Sequence, residues 1–252
     1  MGSGDSRAVL VTGGSRGIGR AIAQAFAEQG ERVAVHWGAS RDRAEQVLAE
    51  LPGLGHVLVQ ADLSDPQAVG AMVDAAAEEL GGLDVLVNNA GVFRAHPPLS
   101  TSYAEWQAAW AETLSVNLVG AANATFRAVP HLVAAGGGAV VNVSSRGAFR
   151  GEPNNPAYGA SKAGLNAFAQ SMALALAPQN ISVTCVAPGF VQTEMAREVL
   201  DGPGGDAVRA QSPFGRVARP EEVAAAVVWL ASPAARFSTG TIVDVNGASY
   251  LR

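Results

Sequence analysis

The feature that most constrains this chain is a regular alternation of short runs rich in β-branched residues with longer segments in helical spacing. Such alternation predicts parallel strands joined by helices, because parallel strands need a long crossover connection. Seven strands are predicted, at 8–11, 32–37, 56–60, 85–88, 139–143, 182–186 and 241–245. Proline or a polar residue often precedes the apolar pattern, which predicts helices that begin near Gly17, Arg41, Pro66, Tyr103, Pro156 and Pro220.

The fold class predicted from this pattern is α/β, with one doubly wound parallel sheet of about seven strands and helices on both faces. Of the 252 residues 48% are hydrophobic, enough to bury one large core, so we expect a single domain over residues 1–252. The segment 189–218 has no clear period and contains Gly202, Pro203, Gly204 and Gly205. A segment of this length in a compact domain predicts a lid over a substrate site.

Composition excludes several classes of function. The net charge is -5, which gives no electrostatic case for a nucleic-acid partner. The single cysteine, Cys185, excludes an internal disulfide and is predicted to be a buried strand residue, and the scattered histidines predict no metal site. The longest apolar run, 223–231, is too short to span a membrane, and the segment 1–7 has no apolar core typical of a signal peptide. We expect a soluble cytoplasmic protein that acts on a small molecule.

A glycine-rich segment, Thr-Gly-Gly-Ser-Arg-Gly-Ile-Gly at 12–19, ends the first strand and opens a helical pattern. Glycines let the backbone turn sharply, and the free N–H groups of a helix N-terminus favour an anion such as a pyrophosphate. The segment therefore predicts a dinucleotide site, with a tight turn that binds no ligand as the alternative.

The end of the second strand bears on the choice of cofactor. An acid there would hydrogen-bond the 2′-hydroxyl of NAD, but this chain has Trp37. Arg16, Ser40 and Arg41 could instead meet a 2′-phosphate, because a guanidinium can donate two parallel hydrogen bonds. NADP(H) is therefore the preferred cofactor, with NAD(H) possible; the alternative is that both arginines are merely solvated.

Tyr158 and Lys162 are spaced to share one face of a helix. A phenol has a pKa near ~10, and a neighbouring ammonium is expected to lower it, so the pair predicts a proton shuttle. The chain has 17 basic residues, of which 16 are arginines. Lys162 is its only lysine. Arginine cannot replace lysine where a compact group is needed, so a catalytic lysine is a better interpretation than a surface one.

Together these motifs resemble the short-chain dehydrogenase/reductase family in its short form, over nearly the whole chain. The resemblance also rests on Ala61-Asp62-Leu63, Asn88-Asn89-Ala90-Gly91, Pro188-Gly189 with Thr193, Ser145 thirteen residues before the tyrosine, and Asn117 on an earlier helix. It implies a Rossmann-type fold, NAD(P)-dependent chemistry between CH–OH and C=O, and a homotetramer with the small-residue helix 158–177 at a subunit interface.

The resemblance implies a role for each matching residue. Ser145 would hold the substrate oxygen, Lys162 would bind the nicotinamide ribose, and Asn117 would anchor a water that carries protons to solvent. Alternatively, Asp62 could cap the helix that follows and Asn88 could bridge two strands. Cofactor contacts are implied for Gly13, Ser15, Arg16, Gly17, Ile18, Gly19, Trp37, Ser40, Arg41, Asp62, Leu63, Asn89, Ala90, Gly91, Tyr158, Lys162, Pro188, Gly189, Val191 and Thr193.

Ser144 is a second candidate for the hydroxyl beside the tyrosine. Side chains alternate along a strand, so Ser144 and Ser145 should point to opposite faces, and the spacing in the family selects Ser145.

The expected activity is interconversion of a ketone and a secondary alcohol. The pattern resembles in particular the 3-oxoacyl carrier-protein reductases, but Gly136 and Gln179 stand where their carrier-docking arginines would be. A free, moderately hydrophobic substrate is therefore expected, in an apolar pocket built from Phe149, Phe190, Met195, Leu200 and Phe214. The alternatives are a carrier-protein reductase and, in a different class, a dinucleotide-binding sensor without catalysis.

Overall fold

Seven parallel strands form one sheet in a computed structural model that describes residues 6–252. The strands are β1 (Ala8–Val11), β2 (Arg32–Trp37), β3 (Val57–Gln60), β4 (Val85–Asn88), β5 (Gly138–Val143), β6 (Ile181–Pro188) and β7 (Ile242–Val245). Their order across the sheet is β3-β2-β1-β4-β5-β6-β7. The predicted strands and fold class are confirmed. The prediction made on the segment 1–7 lies mostly outside the described residues.

Ten α-helices connect or flank these strands within residues 6–252. They are α1 (Gly17–Ala27), α2 (Arg41–Glu50), α3 (Pro66–Leu80), α4 (Tyr103–Leu114), α5 (Ala121–Ala134), α6 (Gly147–Arg150), α7 (Pro156–Leu176), α8 (Glu194–Asp201), α9 (Gly205–Arg209) and α10 (Pro220–Leu230). All six predicted helix starts are confirmed. The segment 189–218, predicted to lack a period, contains α8 and α9, which are too short to show one.

The two faces of the sheet are covered by different helices. Ala8 and Leu10 of β1 face a core formed with α3, α5 and α7, whereas Val9 and Val11 face one formed with α1, α2 and α10. The inner strands are therefore buried on both sides, as the apolar runs predict, whereas the edge strands β3 and β7 are partly exposed. Cys185 of β6 is fully buried, so its predicted position is confirmed.

The crossover connection from β6 to β7 has the opposite handedness to the other five crossover connections. Both α1 and α10 lie on the same face, but β2 is next to β1 on one side while β7 is next to β6 on the other. Parallel crossovers are right-handed in about 98% of cases, so the β6–β7 connection is the rare left-handed form. It places α10 along α1 and carries the segment 189–218 across the carboxyl edge of the sheet.

Within the described residues, no helix has both the length and the apolar character that a membrane span requires.

Candidate active site

The glycine segment forms the turn between β1 and α1 at the carboxyl edge of the sheet. Gly13 and Gly17 have backbone φ angles of +64° and +54°, which residues with a side chain rarely adopt. A Cβ on Gly19 would lie 2.1 Å from the carbonyl oxygen of Gly13. The turn therefore requires glycine for its backbone angles and for its close contacts.

The start of α1 fits an anionic group. Arg16 is at the N-cap and makes no capping hydrogen bond through its side chain, and the first turn contains no acid. The N–H groups of this turn therefore have no side-chain acceptor, and the helix dipole favours negative charge there. These residues fit the pyrophosphate of a dinucleotide.

Asn89, after β4, holds the glycine turn from one side. Its Nδ2 donates to the carbonyl oxygens of Thr12 and Gly13, at 2.9 and 3.1 Å. The backbone N–H groups of Asn89 and Ala90 in turn donate to the Thr12 hydroxyl, at 2.9 and 3.1 Å. The motif Asn-Asn-Ala-Gly is thus bonded directly to the turn that would bind the cofactor.

His36 of β2 holds the turn from the other side, and the sequence patterns do not reveal it. The N–H of Gly13 donates to Nδ1 at 2.9 Å, and Nε2 lies 3.1 Å from the carbonyl oxygen of Ala61. The proton is therefore on Nε2 of a neutral ring. Burial lowers the pKa of His36, opposed by its hydrogen bond to Ala61.

The residues expected near a 2′-phosphate differ in how far their side chains are already engaged by other residues. Arg16 is exposed and forms no ion pair with a described residue. The guanidinium of Arg41 lies 2.8 Å from Glu45, and Ser40 makes no capping bond to α2. Arg43, which the sequence analysis missed, lines the same groove as Arg16 and pairs with Glu194 at 2.7 Å. Arg16 is thus free to meet a phosphate, while Arg41 is engaged locally.

The two alternatives considered for Asp62 and Asn88 have opposite outcomes. Asp65, not Asp62, caps α3, so that alternative is wrong. The exposed Asp62 accepts hydrogen bonds from Ser64, which lower its pKa. Asn88 does bridge strands, because its Nδ2 donates to Asn142 Oδ1 on β5 at 2.9 Å.

Tyr158 and Lys162 lie one turn apart on α7, with the lysine almost fully buried. The Nζ atom of Lys162 donates to the carbonyl oxygen of Val143 at 2.8 Å and lies 5.7 Å from the centre of the tyrosine ring. The side chain of Ser145 lies near that of Tyr158, where it acts to lower the tyrosine pKa. The structure therefore brings these three groups together at the ends of β5 and the start of α7.

The two neighbouring serines have separate partners. Both follow the end of β5, where the Ser144 hydroxyl is buried and donates to the carbonyl oxygen of Lys162 at 3.3 Å. The Ser145 oxygen accepts from the N–H of Gly147 at 3.0 Å and faces the tyrosine.

Asn117 lies on an earlier helix, as predicted, in a π-helical segment, Ser115–Gly120, between α4 and α5. Its Oδ1 accepts from the N–H of Val92 at 2.8 Å, and its Nδ2 donates to the Val92 carbonyl oxygen at 3.0 Å and to Ser161 at 3.2 Å. A Cβ on Gly91 would lie 3.2 Å from Asn117 Oδ1 and 3.6 Å from Lys162 Nζ, so the two residues flank that glycine.

The expected effect of the lysine on the tyrosine is wrong for this arrangement. Burial raises the pKa of Tyr158 to about 12, the nearby Ser145 side chain only partly opposes this, and Glu152 adds a smaller increase. Burial also lowers the pKa of Lys162 to about 8. Desolvation outweighs any attraction between the two groups, so at pH 7 the phenol is protonated and can donate a proton.

Two further residues near Tyr158 were not predicted. Phe93 packs edge-on against its ring, with the centroids 4.8 Å apart. His96 is buried, and its Nε2 accepts the N–H of Ala157 at 3.1 Å in the first turn of α7. Phe93 follows the Asn-Asn-Ala-Gly motif closely, a signal that could have identified it. The partner of His96 is a backbone group, which no side-chain pattern shows.

The apolar residues expected to form the pocket are dispersed. Phe190 lies under the guanidinium of Arg146 at 5.1 Å, and Phe149 lies 4.2 Å from that of Arg252. Leu200 is buried beside the groove along α1, whereas Met195 and Phe214 are exposed. Phe190 and Phe214 line one cavity, whereas Phe149, Met195 and Leu200 lie outside its lining.

The turn after β6 meets the glycine segment. Val191 forms a parallel bridge with Ala218, and a Cβ on Gly189 would lie 3.1 Å from Asn246. Thr193 is at the N-cap of α8, and its Cγ2 would be 3.3 Å from a Cβ on Gly17. Pro188 and Gly189 thus lead directly to the predicted cofactor turn. The described residues include no group of three or more histidine, cysteine or acidic side chains that could hold a metal.

Comparisons with known proteins cover almost the whole chain. A family model described as "Enoyl-(Acyl carrier protein) reductase" matches residues 13–248. A 3-oxoacyl-[acyl-carrier-protein] reductase of Staphylococcus aureus is 36% identical over 98% of this chain and 99% of its own length. A cis-4-hydroxycyclohexanecarboxylate dehydrogenase of Sinomonas cyclohexanicum is 40% identical over 96% of this chain and 95% of its own. The crystal structure of a short-chain dehydrogenase of Burkholderia cenocepacia in complex with NADP is 37% identical, with a TM-score of 0.87 over 96% of this chain and 97% of that one.

Proposed function

This chain belongs to the short-chain dehydrogenase/reductase family and is an NAD(P)-dependent oxidoreductase, and from that premise we propose that it interconverts a ketone and a secondary alcohol with NADP(H). The observation that carries the proposal is the placement of Ser145 near Tyr158, with the buried Lys162 5.7 Å from the centre of the tyrosine ring. A sensor without catalysis would not need this arrangement, because a buried lysine costs stability.

In the reductive direction Tyr158 acts as the general acid. Hydride transfer is the chemistry that a bound nicotinamide supplies. Tyr158 donates its proton to the developing alkoxide, and Ser145 hydrogen-bonds the same oxygen. Lys162 stabilises the resulting tyrosinate, and Asn117 holds the backbone at Val92 beside it. The pKa of about 12 keeps the tyrosine protonated before the reaction, as a proton donor requires.

NADP(H) is supported over NAD(H) by the second strand and by the glycine turn. Trp37 offers no carboxylate to a 2′-hydroxyl, and the exposed Arg16 is free to pair with a 2′-phosphate. The relative from Burkholderia cenocepacia is in complex with NADP. We expect kcat/KM for NADPH to exceed that for NADH by about tenfold or more, and Arg16→Gln to reduce the preference. Steady-state kinetics with both cofactors measure it, and equal or better efficiency with NADH would reject it.

The substrate proposed is a free, moderately hydrophobic ketone or alcohol. The relative from Sinomonas cyclohexanicum is named for a secondary alcohol on a saturated ring, a substrate of this class. Phe93 supplies an apolar surface beside Tyr158, and the segment 189–218 is proposed as the lid. NADPH oxidation with a panel of cyclic and linear ketones tests the activity.

A 3-oxoacyl carrier-protein reductase is the second candidate, favoured by the relative from Staphylococcus aureus. Gly136 and Gln179 give this chain no arginine at the docking positions implied by the resemblance, and its net charge of -5 would repel an acidic carrier. A much higher kcat/KM for a carrier-linked 3-oxoacyl substrate than for its free analogue would reverse the order of the two candidates.

A cytoplasmic homotetramer is part of the proposal. Val119, Phe126 and Val133, seven residues apart on and before α5, are exposed together with Leu174 of α7. Trp229 and Phe237 are exposed on a separate face near α10. Two distinct apolar faces are what a tetramer with two kinds of interface requires.

A further inference from the structure

Two arginines beside Ser145 share one neutral acceptor. The guanidiniums of Arg146 and Arg150 both donate to Oε1 of Gln211, at 2.6 and 3.1 Å. Arg146 is only 4% exposed and also donates to the hydroxyl of Ser249. Among the described residues, neither arginine forms an ion pair.

This arrangement is electrostatically incomplete. A buried guanidinium is costly unless a carboxylate balances it, and a second cation on the same oxygen adds repulsion. The nearest acid that acts on both arginines is Glu152, which is half-buried and makes no side-chain hydrogen bond to a described residue. Arg150 is exposed and its charge is screened by solvent, so the group that lacks a paired carboxylate in a buried position is Arg146.

The position of the arginines relates them to the reacting groups. Arg146 directly follows Ser145, so their Cα atoms are about 3.8 Å apart, and Arg150 ends the single turn of α6 about 6 Å further along. Glu152 packs against Gly147 and lies close enough to Tyr158 to act on its charge. Arg150 is exposed at the end of α6, so a carboxylate would have to reach the pair from a substrate that extends from Ser145 along α6.

We propose that Arg146 and Arg150 form an anion subsite that receives a carboxylate carried by the ketone or alcohol substrate, with Gln211 Oε1 occupying the acceptor position otherwise. A planar carboxylate can accept two hydrogen bonds from a guanidinium and would supply the missing negative charge. The ring of Phe190, 5.1 Å from the Arg146 guanidinium, fixes its plane. This inference rests on the proposed function and narrows it to hydroxy and oxo carboxylic acids.

The test compares two substrates that differ in one charge, 4-oxocyclohexanecarboxylate and 4-oxocyclohexanecarboxamide, with NADPH. The carboxylate should have the higher kcat/KM, and Arg150→Gln should reduce this preference by about tenfold, mainly through the KM for the carboxylate. Arg127→Gln, an exposed arginine of α5, is the control and should keep the preference. Arg146→Gln tests the buried member, with a thermal melt to show that it folds.

The outcomes separate this inference from the function on which it rests. Turnover of neither ketone with either cofactor would reject both. Turnover without preference for the carboxylate would reject the subsite alone. An equal effect of Arg150→Gln on the kcat/KM of the two substrates would also reject it, since a contact with the lid would affect both substrates alike. Calorimetry with the unreactive cyclohexanecarboxylate gives a readout without turnover. It should bind the enzyme with NADP more tightly than cyclohexanecarboxamide does, and equal binding would overturn the proposal.

Discussion

Lys162 joins a proposed catalytic role with a cost to stability. The proposed mechanism needs its charge beside Tyr158, but its Nζ is buried with a single backbone acceptor at Val143. Lys162→Arg keeps the charge and changes the shape, so it should fold normally and lose about 100-fold or more of kcat, and Tyr158→Phe should be at least as damaging. Steady-state kinetics beside a thermal melt measure this. Near-normal turnover in a folded Lys162→Arg protein would contradict the mechanism.

The pKa of Lys162 also predicts a dependence of stability on pH. It falls from 10.5 to about 8 on folding, which costs on the order of 3 kcal/mol below pH 8, where the side chain is charged in both states. Between pH 8 and 10.5 the unfolded state binds more protons, so this cost disappears as the pH rises. Lys162→Met should therefore be more stable than wild type at pH 7 by about 1–3 kcal/mol, after loss of one hydrogen bond.

Urea unfolding at pH 7 and at pH 9.5 checks both parts of this prediction. The gap between Lys162→Met and wild type should shrink at the higher pH, and other titrating groups cancel because both proteins contain them. A variant that is less stable than wild type at pH 7, or a gap that does not change, would show that the buried ammonium carries no cost.

At the scale of elements, α7 depends on a side chain from another segment. Its N-cap, Asn155, makes no side-chain capping bond, and His96 Nε2 instead accepts the N–H of Ala157 next to Tyr158. His96→Ala should lower the free energy of unfolding by about 1–3 kcal/mol and lower kcat more than it raises the KM for NADPH. His96→Gln, which keeps an acceptor, should recover part of both. Urea unfolding and kinetics test this, and an unchanged kcat in His96→Ala would refute the link to Tyr158.

Whole elements could be predicted from sequence where a pattern reflects burial. Runs such as that of β5 identified the strands because a sheet covered on both faces needs apolar residues at every position. The π-helical turn at Asn117 could not be predicted, since its apolar spacing is close to that of an α-helix. His36 and His96 were missed because their partners are backbone groups. The direction of the Tyr158 pKa was wrong because sequence does not show whether burial or a nearby charge dominates.

For the whole molecule, the exposed apolar faces predict assembly. Phe126 of α5 is 77% exposed, and Phe126→Asp should break the interface that we propose for α5 and α7 and reduce the proposed tetramer to a smaller species. Leu54→Asp, at a residue 92% exposed between α2 and β3, is the matched control and should leave the assembly intact. Light scattering during gel filtration measures the mass against that of one chain, 25.6 kDa. A monomeric wild type at micromolar concentration would contradict the proposed tetramer.

The left-handed crossover between β6 and β7 keeps the residues that hold the sheet together apart from the segment that we propose as the substrate lid. The pairing of β6 with β7 sets the strand register, and the segment between β6 and α10 is anchored near its two ends, where Val191 forms a bridge with Ala218. That same segment touches the glycine turn through Thr193 and the arginines through Gln211. If this segment is the lid that we propose, exchange of its residues between Val191 and Ala218 should change substrate selectivity while the strand register stays the same.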